Sequence, residues 1–452
     1  MGRPGAADMD VAVIGAGWAG CAAAVTLARL GHQVTVFESA GVAGGRARRV
    51  TRAGMPLDNG PHLMLGAYMQ TRNMLAVVNG GDGERGLVRT PLAIEPFGAH
   101  ASPLTLRARR LPAPFGLLAG LLTAKGLLAG ERFGLVAWFR RLERAGFHCA
   151  ADATVADMLK DGPAVASRQL WIPLCLASLN TPPERASAQV FANVLRAAFT
   201  TTSDASDFLF ATADQSSLFP DAALRYVAAH GGHIALRTRA RLESVDERGI
   251  VVTHGQGEKP FDAAVIAVGP HQLDAAVAPH PALSQALEAA RELAYEPIAT
   301  AWLGYATRSP MTSMLARLDD APGQWVFERA DVLARAAADD SRPALAQMLA
   351  VVISASGPHE SLGPQALADA CDMQLRRLMP ALPSLAWSQT IVEQRATYAC
   401  TPHRPRANAT LPHPRVALAG DWLDAEFPAT LEAAVRTGVS AAFELEAAFK
   451  RN

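Results

Sequence analysis

The chain has 452 residues, half of them hydrophobic, with 42 basic against 42 acidic side chains and so no formal net charge. That length suits two to three domains with ample core, and the balanced charge removes the electrostatic case for a nucleic-acid partner. Five cysteines with no CxxC pair or regular spacing argue against a disulfide framework or a metal site and for a reducing, cytoplasmic setting.

Residues 1–8 read as a frayed tail, and no signal peptide fits, because the first apolar run is itself a strand. That strand, near residues 11–14, runs into Gly15, Gly17 and Gly20. An Ala/Leu-rich helix follows to about Leu30, Gly31 ends it, and a second strand over residues 33–37 delivers Glu38. This is a complete βαβ unit. Gly15 makes the tight turn, Gly17 lets a pyrophosphate approach the backbone, and Gly20 packs helix on strand. The helix N-terminus offers free N–H groups and partial positive charge to the phosphates, and Glu38 is placed for the ribose hydroxyls. The unit points to an adenine dinucleotide.

Downstream, Gly44-Gly45-Arg46 combines close backbone approach with a fixed cationic fork, or is a surface turn. Residues 111–138 read as two short apolar helices broken by Lys125 and by Glu131-Arg132, flanked by Arg107, Arg109, Arg110, Arg140, Arg141 and Arg144. Each arm is too short to span a bilayer. The pattern suits helices lying in a membrane interface, helices capping a cavity, or both. Asn180, after an apolar run, is placed to reach a hydroxyl or to cap a helix.

A middle block carries a helix over residues 221–229, a Gly231-Gly232 stop, and strands over 233–236, 241–245, 250–253 and 263–268. Strands are also expected over 299–303 and 347–353. Cys400 reads as a partly buried bystander thiol. At the far end a short buried strand over 416–419 leads to Gly420-Asp421, and Pro428-Ala429-Thr430 opens a helix with Pro near its first turn.

These blocks together resemble flavoproteins of the glutathione-reductase type with the amine oxidase and carotenoid desaturase pattern. Leu57-Asp58-Asn59-Gly60-Pro61-His62, Leu65-Gly66-Ala67-Tyr68 and the run from Trp171 to Thr181 narrow the resemblance to the hydroxysqualene dehydroxylases. It covers nearly the whole chain. Two positions depart from the pattern: Pro61 stands where Gln is usual, and Ala433 where Gly is frequent, so that its methyl is placed to crowd the flavin.

The resemblance implies an α/β fold: a Rossmann-like FAD-binding domain over 9–72, 205–272 and 405–452, with an inserted, largely helical α+β substrate domain over 73–204 and 273–404. It implies non-covalent FAD held by Gly15, Gly17, Gly20, Glu38, Gly44, Gly45, Arg46, Asn59, Gly60, Val245, Gly420, Asp421, Ala429 and Thr430, with Val245 near the adenine. It implies FAD-dependent reductive dehydroxylation of hydroxysqualene to squalene, with hydride delivered by reduced flavin and electrons from NAD(P)H or a separate reductase. His62 is then the first candidate for the acid and Tyr68 the second. Asp58 is expected to hold the Asn59-Gly60 turn, and His403 and Asp424 to sit in solvated loops. The implied partners are a C30 isoprenoid, the inner face of the cytoplasmic membrane and upstream squalene-pathway enzymes. Two other readings stay open: an oxidative flavoenzyme (a carotenoid-type desaturase or an amine oxidase, the latter poorly served by 6% aromatic residues), and a non-catalytic prenyl-lipid escort.

Overall fold

The computed structural model describes residues 8–98, 104–311, 313–336, 344–407 and 410–451; most of the tail expected over 1–8 lies outside them. The first strand, Asp10–Ile14, is buried at four of its five positions. That burial reflects its place in the middle of a five-stranded parallel sheet. The order across the sheet is His233–Ala235, Gln33–Phe37, Asp10–Ile14, Ala263–Ile266, Val416–Leu418. Parallel strands covered on both faces read as unbroken apolar runs, which is why these short segments stood out in the sequence. The helix Trp18–Leu30 ends at Gly31, which takes the left-handed conformation at φ 99°, as a C-terminal glycine cap does. The C-terminal helix Leu431–Phe449 packs against it. A Cβ on Gly438 would lie 2.1 Å from the Ala19 carbonyl oxygen, so the two backbones cross closely.

The middle block forms as expected from Pro220–Ala229 onward, with one addition. Ala240–Val245 and Ile250–His254 are joined by an unforeseen third strand, Gly257–Phe261. The C-terminal helix begins at Leu431 with Thr430 as its N-cap, so Pro428 lies before the helix rather than in its first turn.

The inserted part is built on a five-stranded antiparallel sheet ordered Leu315–Arg317, Trp325–Glu328, Gln347–Ser354, Tyr295–Tyr305, Leu385–Tyr398. Helices Ile172–Leu179 and Ala188–Thr200 belong to it too. The apolar segment is two helices, Phe115–Thr123 and Ala129–Arg144. The break falls around Lys125; Glu131 and Arg132 lie inside the second helix. One expected boundary is crossed: Leu63–Leu65, Phe208–Ala211 and Leu87–Thr90 form a single sheet, which spans the division placed at residue 72. Among the described residues no helix is long and apolar enough to cross a membrane.

Candidate active site

The turn after Asp10–Ile14 opens a cleft of ≈ 540 Å³ at the C-terminal ends of the parallel strands, where open α/β sheets bind ligands. Gly15 has φ 105°, and a Cβ there would lie 2.6 Å from the Ala267 carbonyl oxygen. Gly17, the N-cap of the first helix, faces the cleft, and no side chain caps that helix. Glu38 lines the same cleft; its two carboxylate oxygens accept from the Ala16 amide at 2.8 Å and the Ala40 amide at 2.7 Å. Gly20 does not line the cleft; it seats the helix against Gly15.

The second glycine loop is docked rather than turned to solvent. The Gly44 amide donates to the Ala16 carbonyl at 2.9 Å, and Ala43 and Ala47 are buried. Arg46 donates to Asp421 at 2.6 Å and to the Ala396 carbonyl at 2.8 Å. It thereby ties together the two ends of the chain at the cleft. Gly45, Gly420, Asp421, Ala429 and Thr430 complete the lining. Val245 does not: the strand Ala240–Val245 reaches the cleft by its first residue, with Thr238 and Arg239 just before it. The stretch presented to the cleft is therefore 238–240.

A second cavity, ≈ 340 Å³ and mostly apolar, lies against the inserted domain, lined by Leu92, Leu174, Phe191, Phe199, Phe208, Trp325 and Phe327 among others. Asn59, Gly60, Pro61, His62 and Tyr68 line this chamber; of these only His62 also lines the cleft, so Asn59 and Gly60, expected to hold the cofactor, face the apolar space instead. Cleft and chamber share Arg46, His62, Glu393, Ala396, Ala429, Thr430 and Leu431. Here the dinucleotide site meets the apolar space. Glu393 was not foreseen. It comes from Leu385–Tyr398 and accepts from the Asn59 side chain at 3.0 Å across 334 residues of sequence.

The imidazole of His62 is within 2.9 Å of the Gly60 carbonyl through Nδ1. A carbonyl only accepts, so Nδ1 carries the proton and neutral His62 presents Nε2 as an acceptor. Burial pushes the imidazolium below the usual histidine value, although the Gly60 carbonyl and Asp58 favour it. Neutral His62 is therefore a hydrogen-bond acceptor at the junction, a poor match to the expected acid. Tyr68 keeps its proton: burial raises its phenol above the usual value, as does the Glu432 charge. Glu432 is occupied by the Gln70 and Thr71 amides, both at 2.9 Å, and the Thr71 hydroxyl at 2.8 Å.

Other expectations shift. Asp58 is buried and pairs with Arg329 at 2.6 Å while accepting from the Gln215 amide, so it anchors neighbouring elements rather than the Asn59-Gly60 turn. Asp424 is buried, accepting from the Glu426 and Phe427 amides; His403 is exposed. Ala433 is fully buried and lines neither cavity, so its methyl leaves the cofactor space free. Cys400 is buried outside both cavities, and burial pushes its thiol up to about 12.

The cleft fits a flavin dinucleotide. An uncapped helix N-terminus and the open face of Gly17, with nothing nearer a Cβ there than 3.8 Å, suit a pyrophosphate. Such a cleft, opening on an apolar chamber, is that of a dinucleotide-binding protein. The chain belongs to the flavin containing amine oxidoreductase family, whose pattern matches residues 18–445. It is 28% identical to a hydroxysqualene dehydroxylase of Rhodopseudomonas palustris over 96% of this chain and 97% of that one. A hydroxysqualene dehydroxylase of Sinorhizobium fredii is 26% identical with the same coverage. The structure of a putrescine oxidase superposes with a TM-score of 0.70 over 98% of this chain and 100% of its own, at 15% identity, a likeness of fold. The protein is a FAD-dependent oxidoreductase.

Proposed function

We propose that the protein reduces hydroxysqualene to squalene, using FAD held non-covalently in the cleft. The observation that carries this reading is the end-to-end similarity to relatives bearing that activity in their names. The apolar chamber, which suits a long hydrocarbon, supports it. Reduced flavin supplies the hydride that replaces the hydroxyl group. The chain's own residues must supply the rest. The C–O bond breaks, and the departing oxygen takes up a proton to leave as water, because hydroxide itself leaves poorly. Tyr68, protonated and in the chamber, donates a hydrogen bond to that oxygen and passes its proton to it as the C–O bond breaks, leaving a phenolate that is reprotonated before the next turnover. His62 Nε2 accepts a hydrogen bond from the hydroxyl group of the bound alcohol and fixes its orientation. The Glu393 carboxylate offsets positive charge developing on the allylic carbons, and the apolar walls keep water from that charge. Electrons enter from NAD(P)H or a separate reductase.

One observation favours a second reading, oxidation of a long isoprenoid: an acceptor at His62 Nε2 also suits removal of a proton in a desaturation. Anaerobic incubation of FAD-loaded, chemically reduced protein with hydroxysqualene separates the two. Squalene accumulating in proportion to enzyme is the expected result. No squalene from protein whose flavin is bound and reducible overturns the dehydroxylase and leaves desaturation.

A further inference from the structure

The exposed large hydrophobic side chains of the described residues are unevenly spread. Five crowd into residues 111–133: Leu111 at 43%, Phe115 at 55%, Leu122 at 40%, Leu128 at 80% and Phe133 at 66% exposure. They sit on, or beside the ends of, the two helices Phe115–Thr123 and Ala129–Arg144. The opposite faces of these helices are committed to the core through Leu117, Leu121, Leu135 and Phe139. The exposed set is therefore a fixed surface, of the kind that marks an interaction site.

Its charge says what covers it. From residue 104 to 142 the chain carries seven basic side chains and one acidic, Glu131, in a molecule with no formal net charge. Glu131 is turned inward, accepting from the Ala166 amide at 3.0 Å. Arg109, Arg110 and Lys125 are exposed, and among the described residues no salt bridge engages them. An apolar face with a cationic rim matches a bilayer bearing anionic headgroups. It does not match a second copy of itself, because a two-fold interface would set these cations against their own equivalents.

We infer that this face rests on an anionic lipid bilayer, with Leu111, Phe115, Leu122, Leu128 and Phe133 in the headgroup–acyl boundary and Arg109, Arg110 and Lys125 at the headgroups. The chamber lies one layer of side chains beneath it. Phe139 of the second helix meets Phe199 edge to face at 6.2 Å, and Phe199 lines the chamber. The inference stands on the surface alone, whichever isoprenoid the enzyme converts.

Flotation of the FAD-loaded full chain tests it, with phosphatidylcholine vesicles containing phosphatidylglycerol against phosphatidylcholine alone. Wild-type protein is expected to float with the anionic vesicles, and added salt to weaken the binding. A Phe115→Ser, Leu128→Ser, Phe133→Ser variant and an Arg109→Glu, Lys125→Glu variant should each bind at least about tenfold more weakly. Flavin absorbance and circular dichroism should be unchanged in both. Met373→Ser, at a side chain 70% exposed on another helix, should bind as wild type. No flotation with anionic vesicles, or equal flotation by all variants, overturns the proposal. Dimers that the triple serine variant abolishes, without vesicle binding, assign the face to a second copy instead.

Discussion

Gly17 and Gly20 stand three residues apart and fail in different ways. A Cβ on Gly20 would lie 1.9 Å from the Gly15 carbonyl oxygen, inside a packed helix–strand contact, whereas one on Gly17 meets nothing nearer than 3.8 Å. Gly20→Ala is expected to destabilise the whole fold, and Gly17→Ala to keep its melting temperature while weakening flavin affinity about tenfold or more. Apo-protein melting and flavin titration read the two effects separately. His62 gives a signed pH prediction. Its folded pKa lies below its unfolded value, so the neutral acceptor persists downward in pH, and protonation opposes folding below the ordinary histidine pKa of about 6.5. Single-turnover rates should be flat in His62 above that pH and fall only well below it; a rate rising as pH falls through 6.5 would mark it as an acid. The glycines, Glu38 and Arg46 were legible because each is read against its own neighbours in sequence. Glu393 was not: it enters the site from a strand 334 residues beyond its partner Asn59.

Between elements, Asn180 has more to do than cap a helix. It ends Ile172–Leu179 in the left-handed conformation at φ 47°. Its amide donates to the Glu296 and Pro297 carbonyls and the Thr397 hydroxyl, and accepts from the Ala355 amide at 2.7 Å. One buried side chain thus joins that helix to the segments at three strands of the antiparallel sheet. Asn180→Ala leaves these partners unsatisfied in the interior and strains the backbone, and is expected to cost roughly 2–5 kcal/mol. Chemical denaturation would measure it. Two of the strands that escaped the sequence reading are edges. Gly257–Phe261 carries Pro260 and pairs on one side only, the place where a strand tolerates proline. Leu385–Tyr398 borders its sheet likewise and leaves many positions exposed, so its hydrophobic signal is diluted. The central strands of the parallel sheet, buried on both faces, announced themselves; Trp325–Glu328 and Phe208–Ala211, interior to their own sheets but only four residues long, did not.

At the scale of the molecule, segments far apart in sequence bring the cleft and the apolar chamber together. Seven side chains from distant parts of the chain belong to both. A molecule in either cavity therefore meets residues that also line the other. Occupancy of the two is then linked, and linkage is reciprocal: whatever factor a hydrocarbon adds to flavin affinity, flavin must add to hydrocarbon affinity. Titrating flavin with and without squalene, and squalene with and without flavin, should return one number twice. Where that factor exceeds one, a chain stripped of cofactor holds a hydrocarbon less tightly, and release from the chamber is set by what the neighbouring cleft contains as much as by the chamber's own walls.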